Sequence, residues 1–221
     1  MVFHLLTIFP ESIKNYFDSS ILRRAQKNKK IKIKFYNPRD FATDKHKKVD
    51  DKPFGGGPGM VMRIEPIIKA IQFAKSKIKS QKSKIILLSP AGKQFEQKMA
   101  RDWAKKYKDI ILISGHYEGI DARVKTALRI TSCALQEISV GPYVLTGGEL
   151  PAAIIVDAVS RQIPGVLGKQ ESLEDERGIG IPVYTRPEIF KYKGKKYRVP
   201  KVLLSGNHDK IDEWRKKQLE N

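Results

Sequence analysis

Three glycine-bearing stretches, two of them with proline, hold the residue types from which a ligand pocket is made. They are Leu88-Ser89-Pro90-Ala91-Gly92, Ser114-Gly115-His116-Tyr117-Glu118-Gly119-Ile120-Asp121 and the longer Ser139–Pro151. Glycine allows positive φ and close approach of a ligand to backbone, while proline fixes the chain around it. Loops of this kind offer backbone donors and acceptors, which read the edge of a base such as adenine without charged side chains. Leu88, Val140 and Leu145 would supply apolar walls. Taken alone, Ser139–Pro151 reads equally as the lead into a helix, with Pro151 at the first helical position. Neither Gly-x-Gly-x-x-Gly after a strand nor Gly-x-x-x-x-Gly-Lys-Ser/Thr occurs, so dinucleotide and Walker-type phosphate binding are unsupported.

Groups suited to moving protons or stabilising an anion lie further along. Glu174-Asp175-Glu176 forms an acidic island and Arg161 stands late in an apolar helical run. By themselves these read as a solvated linker and as an arginine complementing a helix dipole. His4, His46, His116 and His208 lack the spacing of a metal motif, so no metal ligand is assigned. The single cysteine, Cys133, rules out a disulfide framework or a Cys-rich zinc site and reads as a small core residue.

The elements that would position these groups alternate. Val2–Ile8, Ile31–Phe35, Lys84–Leu88, Asp109–Ile113 and Cys133–Ile138 read as strands, Ile31–Phe35 with one cationic face. One helix is expected through Ile13, Phe17, Ile21 and Leu22. Others are expected over Glu65–Lys79, Gln94–Lys106, Gly119–Leu128, Pro151–Ile163 and Asp209–Leu219. Asn37–Arg63 is a long irregular segment, and a loop of that length in a compact domain is functional or disordered. Strands of branched residues separated by helices argue for an α/β domain with a mainly parallel sheet, whose ligands bind at the carboxyl ends of the strands. All three glycine-bearing loops fall there.

With 221 residues the chain suffices for one domain plus an appendage. Residues 1–163 read as the main domain, 164–182 as a linker and 183–221 as a short basic C-terminal domain. Within it, Lys191–Lys201 places six basic side chains around Tyr192 and Tyr197. The net charge of +19 favours a polyanionic partner, although 31 lysines against 12 arginines is also what a lysine-rich proteome gives. No apolar run approaches a membrane span and Met1–Phe9 lacks the basic start of a signal peptide, so a cytoplasmic location is expected.

Six strings carry a resemblance. They are residues 50–60 (Asp-Asp-Lys-Pro-Phe-Gly-Gly-Gly-Pro-Gly-Met), 115–121 (Gly-His-Tyr-Glu-Gly-Ile-Asp), 139–151, 160–168 (Ser-Arg-Gln-Ile-Pro-Gly-Val-Leu-Gly), 184–188 (Tyr-Thr-Arg-Pro-Glu) and 203–208 (Leu-Leu-Ser-Gly-Asn-His). In order, and over roughly Phe3 to Gln218, the sequence resembles the bacterial tRNA (guanine-N1)-methyltransferase (TrmD) family of the SPOUT superfamily.

The resemblance implies a SPOUT-type parallel sheet with helices on both faces and a trefoil knot, a feature sequence physics does not supply. It implies a homodimer with shared active sites that uses S-adenosylmethionine to methylate N1 of the guanosine 3′ of the anticodon, position 37. The implied cofactor contacts are Leu87, Leu88, Ser89 and Pro90; Gly115, Tyr117, Glu118 and Gly119; and Val140, Gly141, Tyr143, Leu145, Gly147 and Gly148. Asp175 is implied as the base on N1–H and Arg161 as the cation on O6. Asp50, Gly57, Pro58 and Gly59 are expected in a flap over the target base, the other reading being an irregular turn. Glu118 is read as an aid to the cofactor or to magnesium, or as a helix-start carboxylate. Two features depart from the family: a linker a few residues short between Asp175 and Tyr184, with Glu176 where a small polar residue is usual, and an end soon after Glu213-Trp214-Arg215. A shortened C-terminal domain is therefore expected, with Lys191–Lys201 supplying phosphate contacts and tyrosine stacking. The other readings are a related knotted enzyme acting on a ribose 2′-hydroxyl, and a basic RNA-binding protein without catalysis.

Overall fold

Ile110-Ile111-Leu112-Ile113 has no polar residue, and such a run is accommodated only in a strand covered on both faces. In the computed structural model, which describes residues 1–130, 135–168 and 180–219, the chain divides into two compact units, Met1–Gln170 and Glu171–Asn221. The first unit contains strands β1 (Val2–Leu6), β2 (Lys32–Tyr36), β3 (Asp50–Asp51), β4 (Val61–Met62), β5 (Ser83–Gln94), β6 (Asp109–Ile113) and β7 (Leu135–Ser139). Its helices are α1 (Glu11–Phe17), α2 (Ser20–Lys27), α3 (Ile64–Ser76), α4 (Gln97–Lys106), α5 (Arg123–Ile130) and α6 (Glu149–Arg161).

Five strands form one sheet in the order β2-β1-β6-β5-β7, every neighbouring pair parallel. Alternate strand residues enter two apolar layers. Phe3, Leu5, Ile86, Leu88, Ile110, Leu112 and Ile138 pack with Phe17, Leu22, Trp103 and Val156, from α1, α2, α4 and α6. On the opposite face Leu6, Ile85, Leu87, Ile111 and Ile113 pack with Ile67 and Ile71 of α3 and with Val124 and Leu128 of α5. Helices therefore cover both faces, and truncating a fully buried residue such as Ile111 to alanine costs about 2–5 kcal/mol. Because β5 lies between β6 and β7, the carboxyl ends of these three strands are neighbours by topology.

Several local features differ from the sequence reading. The expected helix through Ile13 and Leu22 is two helices, because Ser19 is extended (ψ 158°) and Ser20 has φ +44°. The next helix starts at Gln97 rather than Gln94, since Gln94 still pairs with Ser139 of β7. The following one starts at Arg123 rather than Gly119, whose φ is +129°. Pro151 is the third residue of α6, where a missing N–H is still harmless. Segment 37–63 is not wholly irregular. Pro38–Phe41 is a 3₁₀ turn capped by the Asn37 side chain, and β3 and β4 pair antiparallel, Asp50 opposite Met62.

Among the described residues the second unit holds a hairpin, β8 (Ile189–Tyr192) and β9 (Lys195–Arg198), followed by helices α7 (Lys201–Leu204) and α8 (His208–Leu219). The run Lys191–Lys201 is therefore mostly hairpin, turning at Lys193 and Gly194, with φ of +45° and +75°. Its pairing sets Phe190 opposite Tyr197. Cys133, the acidic island with Asp175, and most of the expected linker lie outside the described residues.

Candidate functional site

After Leu88 the pairing of β5 with β7 is interrupted by a bulge through Ser89–Gly92 and then resumes, Lys93 and Gln94 pairing with Ile138 and Ser139 of β7. Gly92 makes this possible. A Cβ there would lie 2.5 Å from the Ile138 nitrogen and 2.7 Å from the Glu137 carbonyl carbon, so only glycine lets the returning chain sit on β7. The third loop is pressed as closely on the second. A Cβ on Gly148 would lie 2.5 Å from Ser114 Cα, and the Gly148 N–H donates to the Gly115 carbonyl at 2.9 Å. The three strand ends thus enclose one cavity of about 380 Å³.

Every residue assigned to the cofactor lines this cavity. Leu87, Leu88, Ser89 and Pro90 form one wall, and Gly115, Tyr117, Glu118 and Gly119 a second. Val140, Gly141, Tyr143, Leu145, Gly147 and Gly148 form the third. Tyr117 holds φ +60°, uncommon for a bulky side chain. Tyr143 lies over Gly141, where a Cβ would come 2.2 Å from the ring. Residues that sequence reasoning did not assign also face the cavity, among them His116, Ile138, Thr146 and Lys125.

Beneath the second and third loops lies a polar network with no sequence signal. Glu149, the first residue of α6, is 6% exposed. One carboxylate oxygen accepts from the Thr7 hydroxyl, and the other pairs with His116 Nε2 at 2.7 Å. Thr7 Oγ1 in turn accepts from the Phe9 N–H at 2.9 Å, and the Phe9 ring meets the His116 imidazole edge-on. The end of β1 is thereby tied to both loops. Thr7 and Glu149 are 142 residues apart, which is why neither drew attention in the sequence. Ser114 Oγ, just beyond the end of β6, is buried without a hydrogen-bond partner among the described residues.

The glycine-rich segment does not line the cavity but is moored beside it. Asp50, half-buried, lies on β3; Gly57 and Gly59 have φ of +111° and +87°, and Pro58 stands exposed between them. The Glu118 N–H donates to the Met60 carbonyl at 3.0 Å, the Met62 N–H to Gly119, and the Asp121 N–H to Met62. Glu118 packs so closely against Gly59 that a Cβ there would lie 2.5 Å from its Oε1. The segment carrying Asp50 and Gly57–Gly59 is thus fixed to the second wall at its C-terminal end, Asp50 being held in turn by its pairing with Met62, and Phe54 at its tip is 99% exposed.

Arg161 ends α6, and its side chain has no hydrogen-bond or ion-pair partner among the described residues. Pro151, near the start of α6, lines the cavity. Ten residues at 1.5 Å each put Arg161 about 15 Å further along the helix, beyond the reach of its side chain. Asp175 lies outside the described residues. Among those described, no three His, Cys, Asp or Glu side chains gather into a metal-binding group, and no helix is long and apolar enough to cross a membrane.

A second buried cluster lies along β1, remote in chemistry from the cavity. His4 Nδ1 contacts the Tyr36 hydroxyl at 2.9 Å and His4 Nε2 contacts Asp109 Oδ1 at 3.1 Å. Burial lowers the imidazole pKa below its ordinary value, with the Asp109 carboxylate opposing, and burial raises that of the Tyr36 phenol.

The whole chain, residues 1–221, matches the family described as tRNA (Guanine-1)-methyltransferase TrmD. It is 48% identical to a tRNA (guanine-N(1)-)-methyltransferase of Clostridioides difficile, an alignment spanning 99% of this chain and 92% of that protein. It is 51% identical to the protein of the same name from Dictyoglomus turgidum, over 97% of this chain and 83% of the other. With that of Carboxydothermus hydrogenoformans it shares 49% identity, over 99% and 82%.

Proposed function

The chain belongs to the tRNA (guanine-1)-methyltransferase TrmD family, and on that footing we propose that it methylates N1 of guanosine in tRNA with S-adenosylmethionine as donor. The observation that carries the reading is the convergence of fourteen assigned residues, from three separate strand ends, on one cavity. Its volume of about 380 Å³ falls in the range of small-molecule sites. Walls of backbone and apolar side chains suit a neutral heterocycle, and the two charged residues on the lining suit a zwitterionic tail. When bound, the cofactor supplies a methyl group made electrophilic by its sulfonium.

The chain's own residues have two tasks. Guanine N1 carries a proton at neutral pH and attacks poorly until a base removes it; we assign that role to Asp175. As the proton leaves, negative charge grows on O6, and Arg161 donates to it. The separation of Arg161 from its own chain's cavity, about 15 Å along α6, supports a homodimer in which Arg161 of one protomer serves the partner's pocket. The flap with Asp50, Gly57, Pro58 and Gly59 covers the target base, supported by its mooring to Glu118 and Gly119. The substrate position is the guanosine 3′ of the anticodon, position 37, in the cytoplasm. The net charge of +19 and the basic hairpin support an RNA partner. The trefoil knot belongs to the same reading, supported by the close packing of the first loop on β7 at Gly92 and of the third loop on the second at Gly148.

An Asp175→Asn substitution tests the chemistry. It is expected to abolish N1-methylguanosine, read by mass spectrometry of digested tRNA, while cofactor affinity stays within about twofold. Undiminished N1 methylation would remove Asp175 from the base role, and a ribose-methylated product would replace the guanine reading altogether.

A further inference from the structure

Charge is scarce around the cavity. Of the described residues lining it, Glu118 and Lys125 are the ones formally charged at neutral pH. Lys125 stands in the first turn of α5, next to the buried Val124. Its Nζ is ion-paired with Glu137 Oε1 of β7, the side chains being 41% and 24% exposed. The backbone neighbour of Glu137, Ile138, lines the same cavity. The ammonium is therefore held at the cavity wall by a strand residue, rather than extended into solvent as most surface lysines are.

A lysine ammonium has three donors, and a single carboxylate oxygen occupies one of them. The amino-acid end of S-adenosylmethionine carries a carboxylate beside its ammonium. Uncharged loops meet an adenine well, but they do not compensate a carboxylate taken out of water, which needs a charge-assisted partner. Resting on the methyltransferase reading, we infer that Lys125, oriented by Glu137, is the residue of this site that binds the cofactor's α-carboxylate. A tRNA phosphate is the competing anion. Lys125 belongs to the cavity lining and is tethered to β7, which favours the small ligand.

Titration calorimetry with three ligands tests this without relying on turnover. S-adenosylmethionine, its decarboxylated analogue and 5′-methylthioadenosine differ in whether they carry the carboxylate, the amine alone, or neither. Wild type is expected to prefer S-adenosylmethionine over the decarboxylated analogue by about 10–100-fold, as for a hydrogen bond between charged groups. In Lys125→Met that preference should fall to about onefold while methylthioadenosine binds within about twofold of wild type; Lys125→Arg should keep about fivefold or more. A preference that survives in Lys125→Met overturns the assignment, as does a loss of tRNA affinity with the preference intact. Loss of methylthioadenosine binding in both variants also overturns it, since Lys125 would then support the pocket as a whole. If wild type binds none of the three, the methyltransferase reading itself falls, a result distinct from all of these.

Discussion

Gly92→Ala would force a methyl group into a close backbone contact beside the cavity. The new Cβ would stand 2.5 Å from the Ile138 nitrogen, 2.6 Å from the Ile138 carbonyl carbon and 2.7 Å from the Glu137 carbonyl carbon. None of these is the end of a flexible side chain. Relief to van der Waals distance therefore requires the returning loop and β7 to separate by about 1 Å. Overpacking of this kind costs about 1–3 kcal/mol. For a chain of this size that is a fall in melting temperature of about 2–12 °C. Ser89 and Pro90 on one side and Ile138 and Val140 on the other line the cavity, so the same separation should weaken S-adenosylmethionine binding by about tenfold or more. Gly168→Ala is the control, because a Cβ there meets nothing within 4 Å and should change stability by less than about 0.5 kcal/mol. Differential scanning calorimetry and titration calorimetry on both variants decide the matter. Wild-type melting temperature and cofactor affinity in Gly92→Ala would refute the close return of this loop onto β7.

Three further outcomes are expected. On the proposed homodimer with shared sites, Arg161→Ala and Gly148→Ala protomers mixed under exchange conditions should recover about a quarter of wild-type methyl transfer, because half of such dimers would be mixed and each would have one intact composite site; no recovery would place Arg161 with its own chain's pocket. Glu149→Ala should lose about 2–6 kcal/mol in urea unfolding by leaving both the Thr7 hydroxyl and His116 without their buried partner, and Glu149→Gln distinctly less; a loss under about 0.5 kcal/mol in Glu149→Ala would contradict the network. Because burial lowers the His4 pKa in the fold, the unfolded chain binds more protons as pH falls through its ordinary value of 6.5. The His4 contribution is thus complete above pH 6.5 and lost below it. The melting temperature should fall between pH 7.5 and 5.5, more steeply in wild type than in His4→Gln, and equal slopes would dismiss His4 as the cause.

The sheet was legible because its strands are unambiguous. Asp109–Ile113 and the apolar part of Lys84–Leu88 are covered on both faces, and short runs of branched apolar residues between helical stretches suit a buried parallel strand. The walls of the cavity were legible because glycine and proline cluster at adjacent strand ends. The support beneath them was not. In the sequence Thr7 is one residue of the Val2–Ile8 strand and Glu149 one residue of the Ser139–Pro151 stretch, and only folding brings them together across 142 residues. Lys125 was hidden among 31 lysines, with a helical surface position as its only sequence attribute. The hairpin of the second unit was within reach, since Lys193-Gly194 between alternating aromatic and basic residues has the composition of a tight turn. The break between α1 and α2 was not, because apolar residues keep helical spacing across it while Ser20 turns the chain with positive φ.

Methyl transfer from labelled S-adenosylmethionine onto two tRNA transcripts, differing only in guanosine or adenosine immediately 3′ of the anticodon, tests the proposed function most directly. Label should enter the guanosine transcript alone and be recovered as N1-methylguanosine. Equal labelling of both transcripts, or of neither, would contradict it.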